Sequence, residues 1–235
     1  MTSVIIDGLY AVSKMTTATL PITPAMLSPS SLLASAAAGK ASFVRISVDQ
    51  YHKMIDTGIL PEDASVELLH GMLVRKDRST IGEDPLGQSP LHRQAIVKLT
   101  ALVPRIQTAT RQLQIQLPIV VSPDHEPEPD GAVILGAYED FSTRLPTAAE
   151  VSCVIEVAHS SLERDEEDKL PIYASAGISQ YLIVNLRTGT VEEYTEPDPF
   201  SGRYRTKATF SPGEVVSLGL GGSETLKVDA AELLP

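Results

Sequence analysis

At 235 residues, with 43% hydrophobic and 21% charged side chains, the chain holds enough apolar material for one sizeable core plus an appendage. The formal charge of −11 argues against a general nucleic-acid coat protein, and no apolar run approaches the ~20 residues of a membrane helix. Cys153 is the one cysteine, which excludes an intrachain disulfide and a cysteine-based zinc site.

Residues 1–42 read as a disordered leader without function, with Met15 and Met26 as alternative starts. Pro21, Pro24 and Pro29 break any helix there, and no basic start precedes an unbroken apolar run, so no secretory signal is expected. Ser47-Val48-Asp49-Gln50 is a capping-box pattern and Gly58 a stop, which predicts a short helix near 48–57. Val66-Glu67-Leu68-Leu69 and Met72-Leu73-Val74 flank His70-Gly71, the pattern of a tight hairpin. From Pro90 to Ile106, Leu91, Ala95, Leu99, Leu102 and Ile106 share one helical face. Strands are predicted near 113–121, 131–135 and 151–158, then a helix from Leu162 to Ala176 that Pro171 should kink and Gly177 should end. Strands near 180–185 and 190–195 are joined by Arg187-Thr188-Gly189, and short strands recur to the C-terminus. The class is a mixed α/β or α+β domain.

Charge is uneven. Residues 71–115 carry seven Lys/Arg against three Asp/Glu, whereas residues 151–200 carry three against ten. The acidic segment is either a solvated face or a cluster awaiting a divalent metal.

Chemistry concentrates in three places. Pro129-Asp130 opens the apolar strand Gly131 to Leu135, and Glu156 closes the apolar run Val151 to Ile155. A carboxylate at the end of a buried strand is costly unless a cation or donors meet it. Two such carboxylates on neighbouring strands could hold one Mg²⁺ or Mn²⁺, the metals that oxygen ligands favour. Each could equally be a strand-end residue facing water. Lys169 follows Asp165 by four residues, the spacing of an exposed helical ion pair. Yet its side chain leans towards the helix N-terminus, roughly 12 Å back along the axis, where Glu156 delivers the chain.

The string Glu156-Val157-Ala158-His159-Ser160-Ser161-Leu162, with Asp165, Lys169, Tyr173-Ala174, Gly177-Ile178 and Tyr181, closely resembles the Uma-two family of restriction endonucleases. That family belongs to the PD-(D/E)XK nuclease superfamily. Its earlier hallmarks also occur in order: Glu67-Leu68 with Gly71, His92, and Pro129-Asp130. The resemblance covers roughly residues 43–200 and implies a restriction-endonuclease-like core, a central mixed β-sheet flanked by helices, with residues 201–235 as a strand extension of the same domain.

Carried over by position, Asp130 and Glu156 are the acidic pair. Together with the Val157 carbonyl they would bind Mg²⁺ or Mn²⁺. Ala158 occupies the superfamily's usual lysine slot, so Lys169 takes that role from the helix and assists the attacking water. Glu67 is an extra ligand or a base beside the site. His92 could contact metal or phosphate, or simply cap its helix, and His159 could modify the site. Gln180, Leu182 and Asn185 stand where Glu, Trp and Asp are common. Ser160 and Ser161 read as helix N-caps. The resemblance implies a metal-dependent endonuclease acting on DNA. Arg75, Lys76, Arg78, Arg93 and Lys98 are the backbone contacts, with no membrane association, a homodimer as one assembly and a cytoplasmic location. The alternative is a catalytically inactive nuclease-fold module that binds or regulates. A glycosidase using the same two acids ranks lower, because aromatics are only 5% of the chain.

Overall fold

The structure, a computed structural model, describes residues 42–61, 64–76, 89–159 and 161–235. The expected leader, Arg78 and Ser160 lie outside the described residues, as does the Arg164 side chain. Residues 45–235 form one compact unit, which carries every element named below.

Helix α1 (Val48–Asp56) begins at Ser47, whose hydroxyl accepts the Gln50 N–H while the Gln50 side chain accepts the Ser47 N–H. Strands β1 (Val66–Leu69) and β2 (Met72–Arg75) form an antiparallel hairpin. Its turn residues, His70 and Gly71, have φ of 53° and 67°, the paired left-handed geometry of a type I′ turn. Helix α2 (Pro90–Ala101) starts with Ser89 accepting the His92 N–H and runs into a short α3 (Val103–Ile106). Ala95, Leu99, Leu102 and Ile106 are buried on the expected face. Leu91 is 45% exposed, because in that first turn His92 is the side chain that reaches the sheet.

Strand β3 (Arg111–Ile115) is shorter than the sequence suggests. Gln116 adopts φ 51°, Pro118 has no N–H to give, and the Ile119 and Val120 amides bond to Pro127 and Pro146 in loops. Ile119 and Val121 are therefore buried without joining the sheet, while Leu117 is exposed.

Strands β4 (Gly131–Leu135), β5 (Val151–Ala158), β6 (Gln180–Asn185), β7 (Thr190–Asp198) and β8 (Arg203–Phe210) complete a six-stranded sheet in the order β3-β4-β5-β6-β7-β8. Only the β5–β6 pair is parallel, so the sheet is mixed. The expected adjacency of strands 131–135 and 151–158 is present, antiparallel, with a bulge between Val133 and Ile134.

Side chains alternate across β5, and this decides what each face does. Cys153, Ile155 and Val157 pack with α2, α3 and a hairpin of β9 (Val215–Gly219) and β10 (Thr225–Asp229). Val154 and Ala158 face the opposite layer, with Ile172, Tyr173, Ile178 and Tyr181. Glu156 lies on that second face, a carboxylate in an otherwise apolar row.

The helix of that layer is interrupted. Leu162–Arg164 is α4, Asp165–Lys169 is a π-helical turn, and Leu170–Ser175 is α5. Pro171 cannot donate to the carbonyl four residues back, so the ladder widens just before it. Gly177, at φ 74°, ends the helix. Among the described residues no helix is long and apolar enough to cross a membrane.

Candidate active site

The β1–β2 hairpin docks on residues 124–126, with Leu68 and Glu126 exchanging both backbone bonds at 3.2 and 2.8 Å and the Gly71 N–H donating to Asp124 O at 2.8 Å. This seat delivers Glu67, 3% exposed, to the interior. The extended run Glu126-Pro127-Glu128-Pro129-Asp130 then alternates. Its three carboxylates each meet a basic side chain from a different segment: His52 at 2.6 Å from Glu126, Lys76 at Glu128, and His92 at 3.2 Å from Asp130.

Asp130 is held from three directions. Oδ2 accepts the Val157 N–H at 2.8 Å and His92 Nε2 at 3.2 Å, and Oδ1 accepts Gln116 Nε2 at 3.1 Å. Burial pushes this carboxyl up. The His92 bond and charge, the Val157 N–H and the Lys169 charge outweigh it, and Asp130 sits below its ordinary value, ionised at neutral pH. Strand β4 ends at Gly131, so past that point the Val157 peptide faces the Asp130 side chain instead of a strand partner.

The π turn brings Lys169 onto Glu156. Lys169 Nζ lies 2.9 Å from Glu156 Oε1 and 3.2 Å from Glu67 Oε2, and Tyr173 OH donates to the same Glu156 Oε1 at 3.0 Å. The Glu128 N–H also donates to Glu67 Oε2, at 3.3 Å. Glu156, Glu67 and Lys169 are 4%, 3% and 6% exposed, so this is a buried ion-pair network and not a surface one. Burial raises the Glu156 carboxyl well above its ordinary range, Lys169 opposes this, and the charges of Asp165, Asp130 and Glu67 add to it. Burial works against the Lys169 ammonium too, but Glu156, Glu67 and Asp165 reverse that and hold its proton more tightly than usual.

Asp165 is the fourth acid of this cluster. The sequence pairs it with Lys169 on an exposed helix face; the structure instead buries both. Burial pushes its carboxyl up to about 6 against Lys169 and the Ser161 hydroxyl, and its Oδ2 has no partner among the described residues. Ser161 stands at the helix start, but its side chain bonds Asp165 and caps no backbone amide.

Four carboxylates therefore surround one ammonium, and two of them respond by moving up. That deficit of positive charge, with donors that are all oxygens, fits a divalent cation of the Mg²⁺ or Mn²⁺ type. Among the described residues no three His, Cys, Asp or Glu side chains are grouped to hold a metal unaided. A two-carboxylate site completed by a carbonyl and water suits Mg²⁺, which keeps several waters. The acceptor positions left over are consistent with this. Both donors to Glu156 converge on Oε1 and neither touches Oε2, and Asp130 Oδ1 carries one donor where Oδ2 carries two.

The model of a family described as "Putative restriction endonuclease", Uma2 (Uma-two), matches residues 48–229. The chain belongs to the Uma2 family. A solved structure titled as that of "a putative nuclease belonging to DUF820 from Anabaena variabilis" is similar in fold, with a TM-score of 0.58. At 17% identity it covers 80% of this chain and 97% of its own. No match was found among curated proteins.

In this Uma2 chain, then, Glu67, Glu156 and Lys169 are in direct contact, and Asp130 is joined to them through the Val157 amide. His159 is exposed. Of the cationic residues expected to meet a polyanion, Arg93 and Arg75 are exposed, Lys76 pairs with Glu128, and Lys98 donates to Ala231 O at 2.8 Å. Gln180 and Asn185, the departures from the family pattern, are employed elsewhere. Gln180 ties β6 to the β9 backbone, and Asn185 caps the turn into β7. Tyr173 and Gln116 were not legible as site residues. Tyr173 sits in the family string without a stated role, and Gln116 is separated from Asp130 by a loop whose path no local pattern reveals.

Proposed function

We propose that this Uma2 protein is an endonuclease that hydrolyses phosphodiester bonds of DNA with Mg²⁺ or Mn²⁺. Asp130, Glu156 and the Val157 carbonyl would hold the ion. When bound, it supplies Lewis acidity to the phosphate and lowers the pKa of a water. Asp130, kept ionised by His92, Gln116 and the Val157 N–H, contributes charge without needing to lose a proton. Glu156, Glu67 and Asp165 favour the charged form of Lys169. Lys169 orients the attacking water by donation and stabilises charge developing on the phosphoryl oxygens. Glu67 and Tyr173 fix where Lys169 and Glu156 stand.

The observation that carries this reading is the convergence of Glu67, Glu156 and Lys169, from three separate segments, beside an Asp130 whose carboxylate is held by the Val157 N–H, His92 and Gln116. DNA fits a patch and not the whole surface of a chain at −11, so affinity should rest on few phosphate contacts and fall with salt. The test is cleavage of supercoiled plasmid, linear duplex, single-stranded DNA and RNA with Mg²⁺ or Mn²⁺, with EDTA and Glu156→Ala as controls. Cleavage abolished by both controls supports the reading; cleavage that survives Glu156→Ala overturns it. A non-catalytic binding module is the second reading, favoured by the ammonium already seated between Glu156 and Glu67. DNA binding without cleavage under every metal would select it.

A further inference from the structure

Gln116 is a non-glycine residue in the left-handed region, at φ 51°. An L side chain there costs free energy that its surroundings must offset, and such strain gathers at functional sites. Glycine would satisfy this backbone more cheaply. What glycine cannot do is what the Gln116 side chain does: its Nε2 donates to Asp130 Oδ1 at 3.1 Å, while its backbone N–H donates to the Asp130 carbonyl at 3.2 Å. Both donors of one strained residue thus go to one aspartate.

His92 holds the other oxygen. Its Nε2 lies 3.2 Å from Asp130 Oδ2, and its buried Nδ1 has no partner among the described residues, so within them the ring's one polar contact is Asp130. An ionised carboxylate offers about four acceptor positions. Gln116, His92 and the Val157 N–H fill three, which leaves one, on Oδ1.

We propose that Gln116 and His92 are positioning residues that clamp the Asp130 carboxylate in one orientation, presenting a single Oδ1 acceptor position to a divalent cation. The proposal rests on the nuclease reading above. Neither residue need touch the cation, and partners of this kind typically change metal affinity about 10- to 100-fold when removed.

The test is Mn²⁺ titration of the full chain, read from the electron paramagnetic resonance signal of free Mn²⁺, with thermal melts in EDTA. Gln116→Gly should weaken Mn²⁺ binding about 10- to 100-fold while melting no lower than wild type, because glycine relieves the left-handed strain. A residue that served only folding would show the opposite, a lower melting temperature with unchanged affinity. His92→Ala should also weaken binding, and His92→Gln, whose amide can replace the Nε2 donor, should recover most of it. If His92→Ala does not fold, Gln116→Gly decides alone. Mn²⁺ binding that Asp130→Ala abolishes but Gln116→Gly leaves unchanged overturns this proposal only. A wild-type chain that binds no Mn²⁺ overturns the nuclease reading together with it.

Discussion

Replacing Lys169 by methionine removes the one ammonium from the buried acids while keeping most of the apolar stem. In the folded chain Nζ lies 2.9 Å from Glu156 and 3.2 Å from Glu67, all three nearly inaccessible. Breaking a buried pair by removing one partner costs about 3–5 kcal/mol, which in a chain of this size lowers the melting temperature by roughly 6–20 °C. The exposed helical ion pair that the Asp165–Lys169 spacing suggests would cost little to lose; the burial of Lys169 sets a much larger cost.

The cost should depend on pH. Burial holds the folded Glu156 carboxyl above its ordinary value, so at low pH it carries a proton and needs no cation. As pH rises through the folded pKa the acid ionises, and in Lys169→Met nothing compensates it. Wild-type Lys169 stays protonated across this range, because its folded pKa is raised above an already high ordinary value. Urea unfolding near pH 5 and pH 8 should therefore show a deficit that widens towards alkali. A pH-independent deficit below about 1 kcal/mol, the size of an exposed pair, would refute the reasoning.

Asp165 titrates near 6 when folded against an ordinary 3.8, so native stability falls as pH rises through that window. Asp165→Asn should then stabilise the chain near pH 8, by up to about 3 kcal/mol, and do little near pH 4, as chemical denaturation at the two values would show. Gly71→Ala should cost roughly 2–4 kcal/mol in the same measurement, because a Cβ at φ 67° would stand 2.5 Å from Arg45 Cβ under the hairpin that carries Glu67. Arg93→Ala should weaken DNA binding and reduce the salt slope by about 1 in filter binding or fluorescence anisotropy, with Mn²⁺ affinity unchanged.

Much of the local chemistry was legible. The Ser47–Gln50 box, the His70-Gly71 turn and the Gly177 stop all form as their patterns indicate. The burial of β5 along its whole length, on both faces, likewise follows from its continuous apolar run. What stayed hidden depends on proline and on long-range placement. Leu117 to Val121 reads as strand by composition, yet Pro118, facing the Pro127 and Pro129 segment, cannot sustain a ladder of paired amides. Pro171 signalled a disturbance in its helix, but not that a π turn would rotate Asp165 and Lys169 inward. Asp130, Glu156 and Lys169 could be named in advance, through the family string. The bonds that organise them come from Tyr173, Gln116 and His92, and those pairings exist only once the sheet has brought distant segments together.

The central claim is that Asp130 and Glu156 belong to one divalent-cation site. Calorimetric titration of Mn²⁺ into the folded wild-type chain and into Asp130→Ala and Glu156→Ala tests it most directly. Binding by the wild type that is lost in both variants is the expected result. Equal Mn²⁺ affinity in all three proteins would contradict it.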